Sequence, residues 1–395
     1  MFDRIARLAG CGEVSCITPA AGNRAQPRTD GPVASRGMPA APEGLPVRPA
    51  GGDWRSGVPT AMAAQEWAGR APARGTELAR SATSLAAYMA ARTIVGRPLD
   101  AAQESLLQQA HRTVDATRRA LTGGRGNVSV DIGSTLGHSS LQSQACRAVI
   151  GYLERAHTVP GAVAGSGPFG RGQKPDAATT AAAGALAAGA GHCAEHAAVA
   201  VLVQAPHLAP GQEVRIVERV RVDHMWAELH APQASGAVIV LDAWADGPAV
   251  FHEDARFAAD RAAVNRLRTI RRADGMQAGA AVDGWLQDPA LGARMDRARR
   301  RLGPGFRYPP AKVYPPVPVV SDAFAEQVRE RVAAPVDERV YAGLGFVPGP
   351  AERAHRRALL NGVAAAGAAR RTGSGVADAA LGSGHILSAA CRLDR

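Results

Sequence analysis

The sequence predicts a mixed α+β fold, in which a helical module precedes a core that contains β-strands. Apolar residues at helical spacing from Asp100 to Leu121 predict a long amphipathic helix, and alternating segments between Glu213 and Asp242 predict strands. Before Pro72 the chain is rich in Pro, Gly, Ala, Ser and Arg, and neither pattern is sustained. Such a composition buries too little apolar area to offset chain entropy, so we predict a disordered N-terminal segment.

Length and composition exclude several classes of protein. The 395 residues allow two or three domains with a sizeable core. Five scattered cysteines without a C-x-x-C pair do not form a disulfide scaffold or a structural zinc site, and they are typical of a reducing compartment. The net charge of +11 comes almost entirely from Arg, which is typical of a GC-rich genome. We therefore do not expect a nucleic-acid partner.

The sequence predicts neither a targeting signal nor a membrane segment. No run of about 18 strongly apolar residues exists, so no transmembrane segment is predicted. The stretch Leu8–Cys11 matches a lipoprotein cleavage box, but charged residues interrupt the apolar segment that such a signal needs. Phe2 stands where N-myristoylation requires Gly. Cys11 and Cys16 are candidate palmitoylation sites, although two inert thiols are the favoured interpretation.

The predicted elements follow from capping residues and breakers. Asp100 and Gln103 form a capping box at the start of the first clear helix, and a Gly pair ends it. A second helix is predicted from Leu141 to Ala156. The predicted regions are a disordered segment over 1–75, a helical module over 76–160, the core over 161–350, and a C-terminal helix with a loose tail over 351–395.

Within the core, three further segments are predicted. A short helix runs from Cys193 to Val203, and an arginine-rich helix runs from Ala255 to Arg272. The basic face of the second helix is interpreted as solvated, because no nucleic-acid-binding fold accompanies its charge. The two Tyr-Pro-Pro sequences between 308 and 316 predict an extended, polyproline-like connector.

Three short stretches, Gly191–His196, Asp223–Glu228 and Val240–Trp244, carry the residue types of a nucleophilic cysteine site. Cys193 lies where Gly-rich sequence becomes helical. A helix N-terminus stabilises a thiolate, and the backbone N–H in that first turn has no acceptor within the helix. We therefore predict Cys193 as the nucleophile, with its own N–H available to an oxyanion.

Strand arithmetic predicts the partners of this cysteine. His224, Trp226 and Glu228 alternate along one strand and share a face. The midpoint of 224 and 242 falls at 233, inside the turn before Ala237. A simple hairpin then places His224 opposite Asp242, where a carboxylate can orient the imidazole while its other nitrogen takes the thiol proton. The structural alternative is an ion pair within a hairpin.

The neighbouring residues have open interpretations. Trp226 and Trp244 are predicted as core or cleft-wall residues, and Glu228 either supports the site or is a solvated carboxylate at a strand end. His192 and His196 lie four residues apart on one helix face, and with Cys193 and His224 nearby they could bind zinc. Zinc would consume the nucleophile and leave the aspartate unexplained. No metal and no organic cofactor is therefore predicted.

With these residues in view, the chain resembles the transglutaminase-like superfamily, whose pattern is G-x-C at a helix start, then H-x-W, then D-x-W. The three motifs occur in that order at Gly191–Cys193, His224–Trp226 and Asp242–Trp244. More narrowly, it resembles the AvrPphE/HopX/XopE family of type III secreted effectors of plant-pathogenic bacteria. That resemblance rests on the same motifs, the preceding helical module and the disordered N-terminal segment, which would serve in export.

The resemblance implies a papain-like, transglutaminase-like core delivered by the type III system into the host cell as a virulence protein. Its substrate would be a host plant protein, and a bacterial secretion chaperone is a candidate partner. Family members are described both as transglutaminases and as cysteine proteases, so that transferase and hydrolase activities, including glutamine deamidation, remain open. The alternative is a non-catalytic effector that retains a papain-like core and works by binding a host protein.

Overall fold

The computed structural model describes residues 75–156, 176–233, 236–333, 349, 364 and 367–373, and for 75–83, 156, 332 and 333 it describes the backbone alone. The predicted disordered segment over 1–75 lies outside the described residues, apart from the start of the first helix. Of the predicted C-terminal helix and tail, residues 364 and 367–372 are helical, and the rest also lies outside.

The described residues form α-helices and a β-sheet, which confirms the α+β class. The helices are α1 (Gly75–Ile94), α2 (Ala101–Ala120), α3 (Ser129–Ser134), α4 (His138–Ala156), α5 (Ala177–Ala188), α6 (Cys193–Gln204), α7 (Arg272–Leu286), α8 (Pro289–Leu302) and α9 (Asp322–Ala333). The strands are β1 (Gly124–Arg125), β2 (Ala190–Gly191), β3 (Glu213–Arg219), β4 (Met225–Ala231), β5 (Ala237–Leu241), β6 (Val250–Phe251) and β7 (Val264–Ile270).

The larger sheet is antiparallel, with strand order β6-β5-β4-β3-β7, whereas β1 and β2 form a short parallel ladder of their own. Every residue of the central strand β4 is buried. The strands predicted between Glu213 and Asp242 are therefore present as β3, β4 and β5. Glu228 and His230 alternate with apolar residues in β4, but both faces of the strand are covered, so these two polar side chains are buried as well.

Helix α2 begins where the sequence predicts. Asp100 caps it through a side-chain oxygen that accepts from the Gln103 backbone N–H at 2.8 Å, and the Gln103 side chain accepts from the Asp100 N–H in return. The helix predicted from Leu141 begins three residues earlier, at His138. The helix predicted from Cys193 to Val203 is α6 and is one residue longer.

Helix α6 lies between the two hydrophobic clusters of the molecule. Residues such as Ala197 and Val201 pack into the cluster that contains the sheet, and Val199 and Val203 pack against α4 and α5. The sheet cluster also includes Tyr88 of α1 and other residues of α1 and α2, so these helices share a core with the sheet. Each fully buried Val or Leu here contributes about 1.5–3 kcal/mol relative to an exposed one. The buried helix fixes the position of its N-terminal residue, Cys193.

The predicted helix from Ala255 to Arg272 is wrong. This segment contains a 3₁₀ turn over Arg261–Ala263 and the edge strand β7, and α7 begins only at Arg272. Strand β7 pairs with β3, and its register shifts between Ile216 and Val217 of that strand. This register shift breaks the alternation of apolar and polar residues by which a strand is recognised in a sequence. Arginines on the exposed edge strand also separate its apolar residues by intervals that fit a helix equally well.

No helix in the described part of the chain is long and apolar enough to cross a membrane.

Candidate catalytic site

The end of the parallel ladder positions Cys193. Strand β2 ends at Gly191, His192 is extended and caps the helix, and Cys193 is the first residue of α6. The Glu195 carboxylate accepts from the His192 backbone N–H at 2.7 Å, which fixes the entry of the chain into the helix. A Cβ at position 191 would lie 2.6 Å from the Glu195 Cβ, so this position requires Gly. Cys193 is partly exposed, whereas α6 is buried from Glu195 to its end.

A tight turn positions His224. The turn joins β3 to β4, and Arg221 within it adopts a left-handed conformation with φ of 68°. The backbone N–H of Arg219 donates to the carbonyl of His224 at 3.3 Å, and the N–H of His224 donates to Val222 at 2.8 Å. His224 therefore precedes the buried strand directly, and only 4% of its surface is exposed.

His224 and Asp242 are joined by a hydrogen bond. The imidazole Nε2 donates to the Asp242 Oδ2 at 2.7 Å. The predicted pairing of these two residues directly opposite each other is wrong, because Ala227 pairs with Leu241 and the ladder extends to place Asp242 opposite Trp226. A displacement of two residues keeps the side chain on the same face, so Asp242 reaches His224 diagonally.

Asp242 has a complete set of partners. Its Oδ1 accepts from the backbone N–H groups of Trp244 at 3.1 Å and Ala245 at 3.0 Å, while Oδ2 faces His224. Two arginines hold this loop in place through its carbonyls: Arg118 donates to residues 243 and 245, and Arg125 donates to residue 244. The carboxylate is fixed in the orientation that binds the imidazole.

The electrostatics of this pair favour the charged imidazole. Burial alone would lower the pKa of His224, but the Asp242 charge, the hydrogen bond to Asp242 and the neighbouring Cys193 thiol raise it to about 10. Burial would likewise raise the pKa of Asp242, and the His224 charge, their hydrogen bond and the Ala245 N–H lower it instead. Since Nε2 of His224 is bonded to Asp242, Nδ1 is the nitrogen left for the thiol. The structure thus brings Cys193, His224 and Asp242 together.

Aromatic rings surround the imidazole. The centroid of the His224 ring lies 5.7 Å from Trp226, 5.1 Å from Trp244 and 4.4 Å from Phe257. The rings of His224 and Trp226 are stacked, with 21° between their planes. Both tryptophans are buried and therefore form walls around the site. Phe257 carries no motif in the sequence, because it follows β6 on a segment that only the fold brings to this position.

Glu228 is fully buried and is not a solvated carboxylate. It accepts from the Trp226 indole at 3.1 Å, from His230 at 2.9 Å, and from both terminal nitrogens of Arg261 at 2.5 and 2.9 Å. Burial would raise its pKa, but the hydrogen bonds from His230 and Arg261 lower it to about 2. Glu228 therefore acts on His224 indirectly, by holding the indole that stacks on the imidazole.

His192 and His196 do not converge on a common point. The Nδ1 of His192 accepts from Arg147 at 2.9 Å, and the Nδ1 of His196 donates to the His192 carbonyl at 2.8 Å. Burial lowers the pKa of His192 to about 3, assisted by the Arg147 charge, and lowers that of His196 to about 4. Both are neutral imidazoles at neutral pH. Across the described ranges, no group of three or more His, Cys, Asp or Glu residues is arranged to hold a metal ion.

The Tyr-Pro-Pro connector contacts both sides of the site. The Tyr308 ring lies 5.1 Å from the ring of His192, and the Tyr314 ring lies 6.1 Å from that of Trp244. The Tyr314 N–H donates to the Asn127 carbonyl at 2.8 Å. The sequence predicts the extended connector but not that it packs against the site. The sequence analysis also did not identify Asn127, whose amide oxygen accepts from the Trp244 indole at 3.1 Å. A single Asn after a Gly-rich turn gives no sequence signal.

Comparison of the chain with protein-family models gives no match, and comparison with curated proteins and with solved structures gives no significant match.

Proposed function

We propose that this protein is a cysteine enzyme that transfers acyl groups from amide substrates, with Cys193 as nucleophile, His224 as acid and base, and Asp242 as the orienting carboxylate. The observation that carries the proposal is the geometry at His224. Its imidazole bonds Asp242 at 2.7 Å through Nε2, and the partly exposed Cys193 thiol at a helix N-terminus is close enough to help raise the pKa of that imidazole. An activated thiol nucleophile consists of these three groups in this order: a cysteine, an imidazole and a carboxylate.

The mechanism follows from the charges. With the pKa of His224 raised to about 10, the imidazole carries its proton through neutral pH, and this positive charge stabilises a thiolate at Cys193. The sulfur electron pair forms a C–S bond with the substrate carbonyl carbon. The carbonyl π pair moves onto oxygen and then returns as the C–N bond breaks. His224 donates its proton to the leaving amine, and Asp242 keeps the ring in the tautomer that reprotonates at Nδ1.

A thioester on Cys193 then reacts with water or with an amine. Water would give peptide hydrolysis or glutamine deamidation, and an amine would give a cross-link. The nucleophile at the start of a buried helix, packed against an antiparallel sheet that carries His and Asp, is the arrangement that we propose to be papain-like and transglutaminase-like. With the family resemblance, the proposal extends to a type III effector that modifies a plant protein inside the host cell.

The test is mass spectrometry of plant-cell extract incubated with the purified chain. The inactive comparison is Cys193→Ala, and the matched control is Cys146→Ala, which removes a buried thiol from α4. A mass increase of about 1 Da on glutamine indicates deamidation, peptides joined with loss of ammonia indicate cross-linking, and new termini indicate proteolysis. We expect one of these with the wild type and with Cys146→Ala. No Cys193-dependent change in any of the three would favour the non-catalytic binding alternative.

A further inference from the structure

We infer that Asn127 is a catalytic residue, whose side-chain amide N–H stabilises the negative oxygen that forms when Cys193 attacks a carbonyl. The inference rests on the proposed function, because an oxyanion forms only if acyl transfer takes place. Neither the three motifs nor the triad geometry assigns this residue a role.

The parallel ladder brings Asn127 beside the nucleophile. Strand β1 pairs with β2 so that Gly124 is level with Ala190 and Arg125 with Gly191. The Gly126 N–H donates to the Gly191 carbonyl at 3.1 Å, which continues the ladder. Two more steps along both chains lead to Asn127 and Cys193. Neighbouring strands lie about 4.8 Å apart, so the Asn127 side chain is within reach of the space next to the first turn of α6.

The orientation of the amide is chemically defined. The Trp244 indole nitrogen is a donor only, so the amide atom that faces it at 3.1 Å must be the oxygen Oδ1. The nitrogen Nδ2 therefore faces another direction. Only 6% of Asn127 is exposed, and Nδ2 makes no hydrogen bond to any residue that the structure describes. The nitrogen itself is not fully buried, so this donor is open to solvent, and a substrate oxygen would supply the acceptor that it lacks.

The backbone around Asn127 is rigid, as an oxyanion donor requires. The Ser140 hydroxyl donates to the Gly126 carbonyl at 2.9 Å, and the Tyr314 N–H donates to the Asn127 carbonyl at 2.8 Å. A Cβ at position 126 would lie 2.0 Å from the Ser143 Oγ, so only Gly lets this segment approach α4 so closely. The amide therefore has its position before a substrate binds.

Two donors would then meet at the substrate oxygen. The first is the backbone N–H of Cys193, which has no acceptor within the helix because it lies in the first turn. The second is Nδ2 of Asn127. Trp244 connects this side of the site to the other, because its indole orients Asn127 while its ring lies 5.1 Å from that of His224.

The experiment compares two reactions of the same thiol. The thiolate attacks p-nitrophenyl acetate at the carbonyl carbon, the π pair collects on oxygen, and p-nitrophenolate leaves as the C–O bond breaks. Iodoacetamide instead reacts by displacement of iodide at carbon, without an oxyanion. Asn127→Ala should slow the acylation burst by about 10²–10³-fold, as loss of one oxyanion donor does, and leave the alkylation rate of Cys193 unchanged.

Two further variants keep the result decisive. Asn127→Asp preserves the size of the side chain and the acceptor for Trp244 but replaces the donor by an oxygen, so its acylation-to-alkylation ratio should fall at least as far. Gln204→Ala removes a buried amide at the other end of α6 and should leave the ratio at the wild-type value. Equal losses in both reactions with Asn127→Ala, or no loss in either, would overturn the inference. A wild type without any Cys193-dependent burst would instead contradict the proposed function itself.

Discussion

Two buried aspartates, Asp242 and Asp254, show how the same group serves different purposes in this molecule. Asp254 is completely buried and accepts from the Tyr88 hydroxyl at 2.6 Å and from Arg92 at 2.6 Å, with Arg97 2.8 Å from its other oxygen. All of these partners are fixed donors that connect α1 and the segment after it to the end of the sheet. Asp254 is therefore a structural ion-pair centre.

Asp242 is buried to almost the same degree, but its ion-pair partner His224 titrates and lies beside a partly exposed thiol. Both sites bear the cost of burying charge, and both offset it with an opposite charge. The two sites differ in the groups that the partners of each aspartate contact in turn. Burial and pairing are therefore common to both aspartates, and the feature that distinguishes Asp242 is the solvent-accessible thiol beside its imidazole.

The largest expected effect that separates the two aspartates is on activity. Asp242→Asn should lower the rate of the acyl-transfer reaction on the order of 10⁴-fold, because the amide no longer holds the imidazole in its tautomer or stabilises its charge. The melting transition should remain cooperative, because Asn can still accept from the N–H groups of Trp244 and Ala245. Burst kinetics with p-nitrophenyl acetate and circular dichroism measure both properties. Full activity would show that Asp242 is structural, like Asp254.

The opposite result is expected at the second site. Asp254→Asn leaves the buried Arg92 without its closest counter-charge, so the free energy of unfolding should fall by about 3–5 kcal/mol. Urea denaturation measures this change. Activity per folded molecule should equal that of the wild type. A selective loss of activity in the folded fraction would contradict the division between the two networks.

Stability should also depend on pH through His224. The pKa of His224 is raised from 6.5 to about 10 in the folded chain, so the folded state binds one more proton than the unfolded state between these values. This contribution is complete below about pH 6.5 and is lost as the pH rises towards 10. In a Cys193→Ala background, where no thiol gives up a proton on folding, the free energy of unfolding should therefore fall with pH in this window, by up to about 1.4 kcal/mol per pH unit.

Urea denaturation of the Cys193→Ala protein across this pH range should show a shallower slope when His224→Gln is added, whatever the absolute stability. Asp254→Asn in the same background should keep the slope, because it leaves His224 and Asp242 unchanged. Parallel slopes with and without His224→Gln would mean that the imidazole is neutral in the folded chain.

The smallest effect is expected at Glu228, which supports the site from behind Trp226. Glu228→Gln keeps an acceptor for the indole but loses the charge that pairs with Arg261, so the free energy of unfolding should fall by about 2–3 kcal/mol, as the lowered pKa of this carboxylate implies. Because the pKa of Glu228 is lowered to about 2, the stability that its charge provides is present above about pH 4.5 and is lost as the pH falls towards 2. The difference between wild type and variant should therefore vanish in acid. A difference that persists there would assign the effect to packing.

The site and fold residues that could be predicted from the sequence are those whose role depends on residues close by in the chain. The capping box at Asp100, the start of a helix at Cys193 and the alternation of His224 with Trp226 are all decided by neighbours in the chain. The error of two residues in the hairpin register arose because the turn length was not determined by the sequence, and the face was preserved because the side-chain period is two.

The residues that it missed act through contacts distant in sequence. Phe257 and Asn127 reach the site from segments without a motif, and Glu228 was left undecided because its partner Arg261 lies on the segment for which a helix was wrongly predicted. An arginine on an exposed face and one that bonds a buried carboxylate have the same sequence pattern. The tertiary structure distinguishes them.

If His224 activates Cys193, the alkylation rate of that thiol must depend on the imidazole. Iodoacetamide labelling followed by peptide mapping measures the rate at Cys193 as a function of pH, with the buried Cys146 as an internal reference. Burial raises the pKa of Cys146, so it should react slowly until the protein unfolds.

In the wild type we expect rapid, single-site labelling of Cys193 at neutral pH, with little further increase as the pH rises, because the charged imidazole already favours the thiolate. In His224→Gln the neutral-pH reaction should be lost, and the rate should rise with pH as it does for an ordinary thiol. Identical pH profiles for the two proteins would show that the imidazole does not activate the cysteine, and the account of this site would be contradicted.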